Sequence, residues 1–449
     1  MLAAKLDLAR ETAAATGALL LAAPRHALAP LRRRARRAEF AALEREAAAA
    51  PVPEAPPQVT LRDLVLSCGD ASGEAHALAL VTELRRRHPG LRVRGFGGSR
   101  LAAAGMEVWE PLADLNVMGF RAVAGLLPLF FRSVERFAAE LRREPPDAVV
   151  LVDYPGLNQR LLRIAARRGV PVVDHLAPQT WAWAPWRARD FARADALTTL
   201  FPFEADWWRR RGGRARFVGH PAGDALHAVL ASPPPRPAEV AGDAPLIGLM
   251  PGSRRREVED NLPNLLAAAE LLATRDPSRR FVLPHRRREL APLLDALLAE
   301  AAVPVTRLPG RFHEVLPHLT GALCVSGTAS LEAALAGVPT VVTYAIPSRL
   351  GAAFARHALA VPHVAAVNLL AGEALLPERV GRRVRPADLA ADLEALLEPG
   401  RREALVTRLH ELRRCYAAPG TAARAAGVVE EAVLRRRTEG GPARSSLEG

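Results

Sequence analysis

Several loops carry residue types that do chemistry. Gly69-Asp70-Ala71-Ser72-Gly73-Glu74 sets two glycines, a hydroxyl and two carboxylates between an apolar run and a helical stretch. Glycine lets backbone N–H groups approach a ligand, and a helix start favours anions. The carboxylates Asp70 and Glu74 suit sugar hydroxyls or proton transfer, although a tight turn with a helix cap has the same composition. Asp153 follows the apolar run Ala148 to Val152, and Pro155 stiffens the turn. A carboxylate partly desolvated there suits a general base, because burial raises its pKa toward working pH. A plain helix cap is the competing reading. In Pro178-Gln179-Thr180-Trp181-Ala182-Trp183, two indoles stand one residue apart at the end of a strand. They form either a wall for a sugar ring or acyl chain, or a loop-packing pair. His220, in Gly219-His220-Pro221, either orients a phosphate or caps a turn.

The clearest anion site is Pro251-Gly252-Ser253-Arg254-Arg255-Arg256-Glu257, an apolar run followed by small residues and an arginine fork. Exposed N–H groups beside guanidiniums are chemistry for a diphosphate. Ser326-Gly327-Thr328-Ala329-Ser330-Leu331-Glu332 again places small residues at a helix start, with Glu332 able to accept from ribose hydroxyls. Two such loops in one half of the chain point to a nucleoside-diphosphate pocket.

Composition narrows the alternatives. The chain has 449 residues, 49% hydrophobic and 24% charged, which suits two or three folded domains. Its net charge of +13 suits anionic partners. Lys5 is the single lysine, so Schiff-base, Walker A and kinase-lysine chemistry are excluded from the folded domains. Cys68, Cys324 and Cys415 are scattered and form no C-x-x-C pair, which argues against a zinc ribbon or disulfide framework.

The loops lie in a strand–loop–helix pattern. Strands are expected at Leu64 to Cys68, Val93 to Phe96, Ala148 to Val152, Val170 to Asp174 and Ala196 to Leu200. After the Pro-rich break 232–237, they are expected at Leu246 to Met250, Phe281 to Pro284, Val303 to Leu308, Ala322 to Ser326 and Thr340 to Tyr344. Strands alternating with helices imply parallel sheets covered on both faces, with ligands beyond the strands' carboxyl ends. The expected fold is α/β, two doubly wound domains joined near residues 222–243.

Taken together, the segments SCGDASGEAH, FGGSRLAAAGME, VMGF, LVDYPGLN, APQTWAW, LFPFE, FVGHP, MPGSRRREV, SGTASLEA and NLLAG resemble, in order and spacing, the lipid-A-disaccharide synthases. The resemblance runs from Val65 to Pro377. It implies a GT-B glycosyltransferase, with two Rossmann-like domains facing a central cleft. The implied divisions are an Ala/Arg-rich extension at 1–58, an acceptor and membrane-facing domain at 59–230, a UDP-sugar domain at 243–400 and C-terminal helices at 401–449. The implied reaction joins UDP-2,3-diacylglucosamine to 2,3-diacylglucosamine 1-phosphate with inversion, releasing UDP, with no cofactor and no metal. Carried onto this chain, Gly252, Ser253, Arg254, Glu257, Ser326, Gly327, Thr328, Ser330, Glu332 and Asn368 would surround UDP. Asp153 would be the base, with Asp70 and Glu74 as further catalytic carboxylates. Ser72, Gly73, Asn158, Trp181, Trp183 and His220 would contact substrate. The chain departs from the family in having Asp70 before Glu74, the reverse of the usual order. Gly156 also stands where a second Asp is usual. Residues before 58 have no counterpart.

The acyl chains of such substrates imply a peripheral place on the inner face of the cytoplasmic membrane. Val117, Met118, Phe120, Leu126, Leu127, Leu129, Phe130 and Phe131, flanked by Arg121 and Arg132, are expected to form either an apolar membrane patch or a buried helix face. Thr12 to Pro24 is too short to span a bilayer; with the arginines 32–37 it reads as an interfacial helix or a solvated extension. The rival functions are another GT-B enzyme of UDP-N-acetylglucosamine, either a 2-epimerase or a peptidoglycan-type transferase, and a basic nucleic-acid- or lipid-binding protein without catalysis. The GDASGE and WAW segments together argue against the first. Arginines dispersed over many helices, without interleaved aromatics, argue against nucleic acid.

Overall fold

The structure is a computed structural model that describes every residue except 1, 28–29, 46–48, 55–56, 116–126, 350, 354–360 and 440–449. The chain divides into two compact units. The first comprises 1–31, 46–221 and 420–449; the second comprises 32–45 and 222–419.

In the first unit, seven strands form an all-parallel sheet: β1 (Asp63–Cys68), β2 (Arg92–Phe96), β3 (Glu107–Glu110), β4 (Ala148–Val152), β5 (Val172–His175), β6 (Ala196–Thr199) and β7 (Ala215–Phe217). Their order is β3-β2-β1-β4-β5-β6-β7. In the second unit, β8 (Leu246–Met250), β9 (Arg280–Leu283), β10 (Val305–Arg307), β11 (Gly321–Val325), β12 (Thr340–Ala345) and β13 (Glu378–Gly381) lie in the order β10-β9-β8-β11-β12-β13, also parallel. The central strands β1, β4, β8 and β11 are buried along their whole length, as continuous apolar runs between two helical layers must be. β3, β7 and β13 were not expected; they are short or polar edge strands without an apolar run.

In each unit the strand order reverses beside the first strand of the domain, between β1 and β4 and between β8 and β11. Parallel doubly wound sheets bind ligands at this switch point. The loops that leave these four strands are the Asp70, Asp153, Gly252 and Ser326 segments.

The second unit already begins at Ala222, and the Pro-rich break lies inside it. Residues 401–449 do not behave as one segment. The helix Pro399–Tyr416 stays with the second unit, whereas Thr421–Thr438 returns to the first. It does so because Val428, Val429 and Val433 fill the same core as Leu64, Leu66 and Leu80. Glu430 is also held by Arg87 at 2.7 and 2.8 Å.

The extension is not a solvated arm. Its helix Leu2–Ala27 is fastened to the first unit through Asp7, which pairs with Arg167 (3.2 Å) and Arg168 (2.5 Å), and through buried Glu11, which pairs with Arg163 (3.3 Å) and Arg167 (2.9 Å). No helix among the described residues is long and apolar enough to cross a membrane. Of the expected membrane patch, Val117, Met118, Phe120, Arg121 and Leu126 lie outside the described residues. Leu127 and Phe131 stand exposed on the helix Leu127–Arg143, whose other side buries Val134, Phe137 and Leu141.

Candidate functional site

At the first switch point the loops after β1 and β4 meet. Asp70 caps the helix Ala71–Arg87, its Oδ1 accepting from Gly73 N–H at 2.6 Å. A Cβ built on Gly73 would lie 3.2 Å from that oxygen and 3.7 Å from Asp153 Cβ, so Gly73 sits tightly between the two carboxylate residues. Tyr154 presses its ring on Gly69, where a Cβ would come within 2.2 Å. Asp153 and Tyr154 both have φ of +48°, the left-handed region that side chains with a Cβ rarely enter. Two consecutive strained residues persist only where the surroundings hold them, and such strain concentrates at functional sites. The holder is Asn158. Its Nδ2 donates to the carbonyls of Asp153 (2.6 Å) and Val152 (3.2 Å), while Ser67 Oγ donates to its Oδ1 at 2.7 Å. Asn158 is completely buried and fully bonded, so it clamps the turn rather than facing a ligand.

Partial burial pushes the Asp153 carboxyl up to about 6, and the neighbouring charge of Asp70 adds to the effect. Its ionised form is therefore available near neutral pH. Glu74 has a different task. It is buried, and its Oε1 accepts from Leu101 N–H at 3.1 Å, tying down the helix Ser99–Ala103. Ser72 is exposed on the first helical turn, next to Gly73.

The two indoles sit on a short helix, Thr180–Trp183, not on a strand end. Trp181 is buried, donates to Glu204 at 3.1 Å and packs edge-on against Phe203 at 5.2 Å. Trp183 is the exposed one, so the pair does not make a single wall. His220 is buried and stacked on Phe201 at 5.7 Å, and burial pushes its imidazole down to about 3. It is neutral and set into the core, which does not suit a phosphate partner.

Sequence reasoning missed three groups here. His175 is buried, hydrogen-bonded to Thr198 Oγ1 at 2.8 Å, and precedes Leu176, the third non-glycine residue of positive φ. Asp174 is completely buried on β5, and among the described residues neither oxygen has a hydrogen-bond partner; burial holds its carboxyl well above the usual range, and the charge of Asp153 adds to this. The third is Arg187, whose guanidinium donates to the carbonyl of Pro155 at 2.8 Å and to Gln159 at 2.8 Å. An ionisable residue inside an apolar run gives a faint signal in the case of Asp174. One arginine among so many gives none.

At the second switch point, Gly252 has a φ of +101°, and a Cβ there would come within 2.7 Å of Glu257. Glu257 Oε2 accepts from the N–H groups of Ser253 (2.9 Å) and Arg254 (3.2 Å), and Arg254 pairs with its other oxygen at 2.6 Å. The expected free N–H groups are thus occupied by the chain's own carboxylate, which stands where an incoming anion would bind. In the neighbouring loop, Gly327 and Thr328 are exposed, while Ser330 is buried and bonded to Gly327. Ser326 Oγ donates to Val364 O at 3.1 Å, and Glu332 is held by His313 at 2.6 Å. Asn368 is completely buried and bonded to Leu376 and Glu378, a clamp like Asn158.

The comparisons agree with this layout. The family described as lipid-A-disaccharide synthetase matches residues 64–424. A lipid-A-disaccharide synthase of Anaeromyxobacter dehalogenans is 38% identical over 383 residues, 82% of this chain and 97% of its own. One from Syntrophus aciditrophicus is 35% identical over 368 residues, 81% and 96%. Among solved structures, a calicheamicin glycosyltransferase superposes with a TM-score of 0.56 at 21% identity, covering 84% of this chain and 99% of its own. A putative UDP-N-acetylglucosamine 2-epimerase from Listeria monocytogenes gives 0.54 at 15% identity, covering 81% and 94%. These two show the fold alone. The curated relatives carry the family, and they do not favour an epimerase. With two parallel-sheet Rossmann-like units and the family's loops at both switch points, the chain belongs to the lipid-A-disaccharide synthases, glycosyltransferases of the GT-B class.

Proposed function

We propose that the chain joins the diacylglucosamine of UDP-2,3-diacylglucosamine to the 6-hydroxyl of 2,3-diacylglucosamine 1-phosphate, giving lipid A disaccharide 1-phosphate and UDP. The observation that carries the reading is Asp153, held on a strained turn at the first switch point with its carboxyl raised to about 6. Its carboxylate removes the hydroxyl proton as the oxygen attacks the anomeric carbon. The bond from that carbon to the diphosphate breaks, and inversion needs only this one base on the face opposite the leaving group. Asp70, already engaged as a cap, and Glu74, bonded to Leu101, are less free to act.

UDP is assigned to the second unit. Its diphosphate displaces Glu257 from the N–H groups of Ser253 and Arg254, and Arg254 turns from Glu257 to phosphate. The helix starts at Arg255 and Thr328 and the guanidinium neutralise the charge that develops on UDP, so the reading invokes no metal or cofactor. Diacylated substrates place the enzyme on the inner face of the cytoplasmic membrane as a peripheral protein, and exposed Leu127 and Phe131 are its candidate contacts.

The test is a radiolabelled transferase assay without added metal on wild type and Asp153→Ala. Disaccharide and UDP from wild type, reduced at least roughly 100-fold in the variant, support the reading. UDP binding without product from either protein sinks the substrate assignment. Product from both moves the base to Asp70.

A further inference from the structure

The helix Pro155–Arg167, which follows the Asp153 turn, and the residue after it carry four arginines. Three are paired: Arg163 with Asp190 (2.6 Å) and Glu11 (3.3 Å), Arg167 with Glu11 and Asp7, and Arg168 with Asp7. Arg160 is the exception. Its guanidinium donates to the carbonyl of Gly156 and, among the described residues, has no carboxylate at ion-pair distance. Arg187 donates to the carbonyl of the adjacent Pro155 at 2.8 Å, likewise, among the described residues, without a carboxylate at ion-pair distance. Two guanidiniums are therefore held by the carbonyls of adjacent residues, three positions or fewer from Asp153. Trp183, the exposed indole, lies 5.7 Å from the Arg187 guanidinium.

This arrangement is costly without an anion. The two charges repel each other and both feel Arg163. Burial lowers the affinity of each for its proton, to about 10 for Arg187. Glu11 acts on Arg160, and Asp190 acts on both, only from a distance, since Arg163 and Gln159 already engage Asp190. Both arginines are partly exposed, so solvent and solutes reach them. Paired forks of this kind match the oxygens of a dianionic phosphate.

We propose that Arg160 and Arg187 form a subsite for a phosphate monoester, filled in the reaction by the 1-phosphate of the acceptor sugar. The assignment to the acceptor rests on the transferase reading above; the anion site itself does not. Asp153 takes the proton of the 6-hydroxyl, and the phosphate across the same sugar ring is gripped beside the next helical turn. The enzyme thereby distinguishes a 1-phosphorylated acceptor from one that lacks the phosphate.

The direct test uses inorganic phosphate as the probe, titrated by thermal shift in the presence of saturating UDP so that the second unit's loops are occupied. Wild type is expected to be stabilised. Arg160→Gln should lose at least roughly tenfold in phosphate affinity, the scale of one charge-assisted contact. Arg167→Gln, whose partners are Asp7 and Glu11, should keep it. Because Arg187 also ties Pro155 to Gln159, Arg187→Lys is the second variant, retaining charge but losing the fork. Equal phosphate affinity in wild type, Arg160→Gln and Arg187→Lys would overturn the site.

The kinetic arm compares acceptors with and without the 1-phosphate. Arg160→Gln should lower kcat/KM roughly 10- to 100-fold on the phosphorylated acceptor, and the preference over the dephosphorylated one should collapse. A preference unchanged in the variant overturns the acceptor assignment. Pelleting with phosphatidylglycerol vesicles identifies the other source: if Arg160→Gln loses vesicle binding while its preference for the phosphorylated acceptor persists, the pair serves a lipid headgroup and the proposal falls. A wild type inactive on both acceptors sinks the transferase reading instead, and the phosphate titration still decides the site.

Discussion

The two switch points are built on one plan and prepared differently. At the first, the chain stores strain and burial: Asp153 and Tyr154 are left-handed, Asn158 clamps them, and the carboxyl is held at about 6. At the second, the only left-handed residue in the strand-exit loops is Gly252, and the N–H groups are covered by Glu257. On the proposed reading, the first changes the protonation of a substrate and the second exchanges one anion for another. Catalysis and binding therefore make opposite demands on a similar turn: the first needs an uncomfortable ground state, the second a comfortable stand-in.

Substitutions should separate along that line. Asp153→Asn should reduce kcat by two orders of magnitude or more while UDP affinity, read by titration, stays within about twofold. The same substitution should stabilise the fold. A carboxyl raised above its unfolded value binds its proton more tightly when folded, so wild-type stability falls as pH rises from about 4 through about 6 and is flat above. Denaturant titration at neutral pH should show Asp153→Asn more stable by roughly 1–3 kcal/mol, with the gap closing below pH 4. An inactive variant that is no more stable than wild type would break the claim of stored strain. In wild type, kcat/KM should rise with pH through about 6 if Asp153 is the base.

Next in size is packing under the first turn. Gly69→Ala puts a methyl carbon into the Tyr154 ring and should cost about 1–3 kcal/mol with a loss of kcat. In the second unit, Arg254→Ala should weaken UDP binding about tenfold and leave the acid limb of the pH profile in place. A moved limb would mean that the two sites are not separable in function. The smallest effect on activity is expected at Asp174, whose substitution reads out in stability instead. Asp174→Asn should match wild type below about pH 4 and gain on it as pH rises, because the unfolded carboxyl ionises there while the buried one holds its proton.

Much of this was legible from residues alone, for physical reasons. Ala148 to Val152 and Leu246 to Met250 are apolar because both sheet faces are covered, so their limits were readable to the residue. Edge strands such as Glu378–Gly381 carry no such run and were not seen. The loops announced themselves by glycine and charge, but the direction of each side chain was not encoded in its type. Asn158 and Asn368 look like ligand contacts in a motif and turn out to be clamps, because a buried amide with every valence used leaves the same sequence trace as an exposed one. Trp181 and Trp183 differ only in which side of one helical turn they occupy.

The helix Thr421–Thr438 sets an order of assembly. The second unit's main segment, 222–419, is continuous, so it can close while synthesis goes on. The first unit begins its sheet some 350 residues earlier, yet one side of that sheet waits for Val428, Val429 and Val433. Until the ribosome has released that helix, the core around Leu64, Leu66 and Val150 stays incomplete. The unit whose sheet is translated first is thus the last to complete its core.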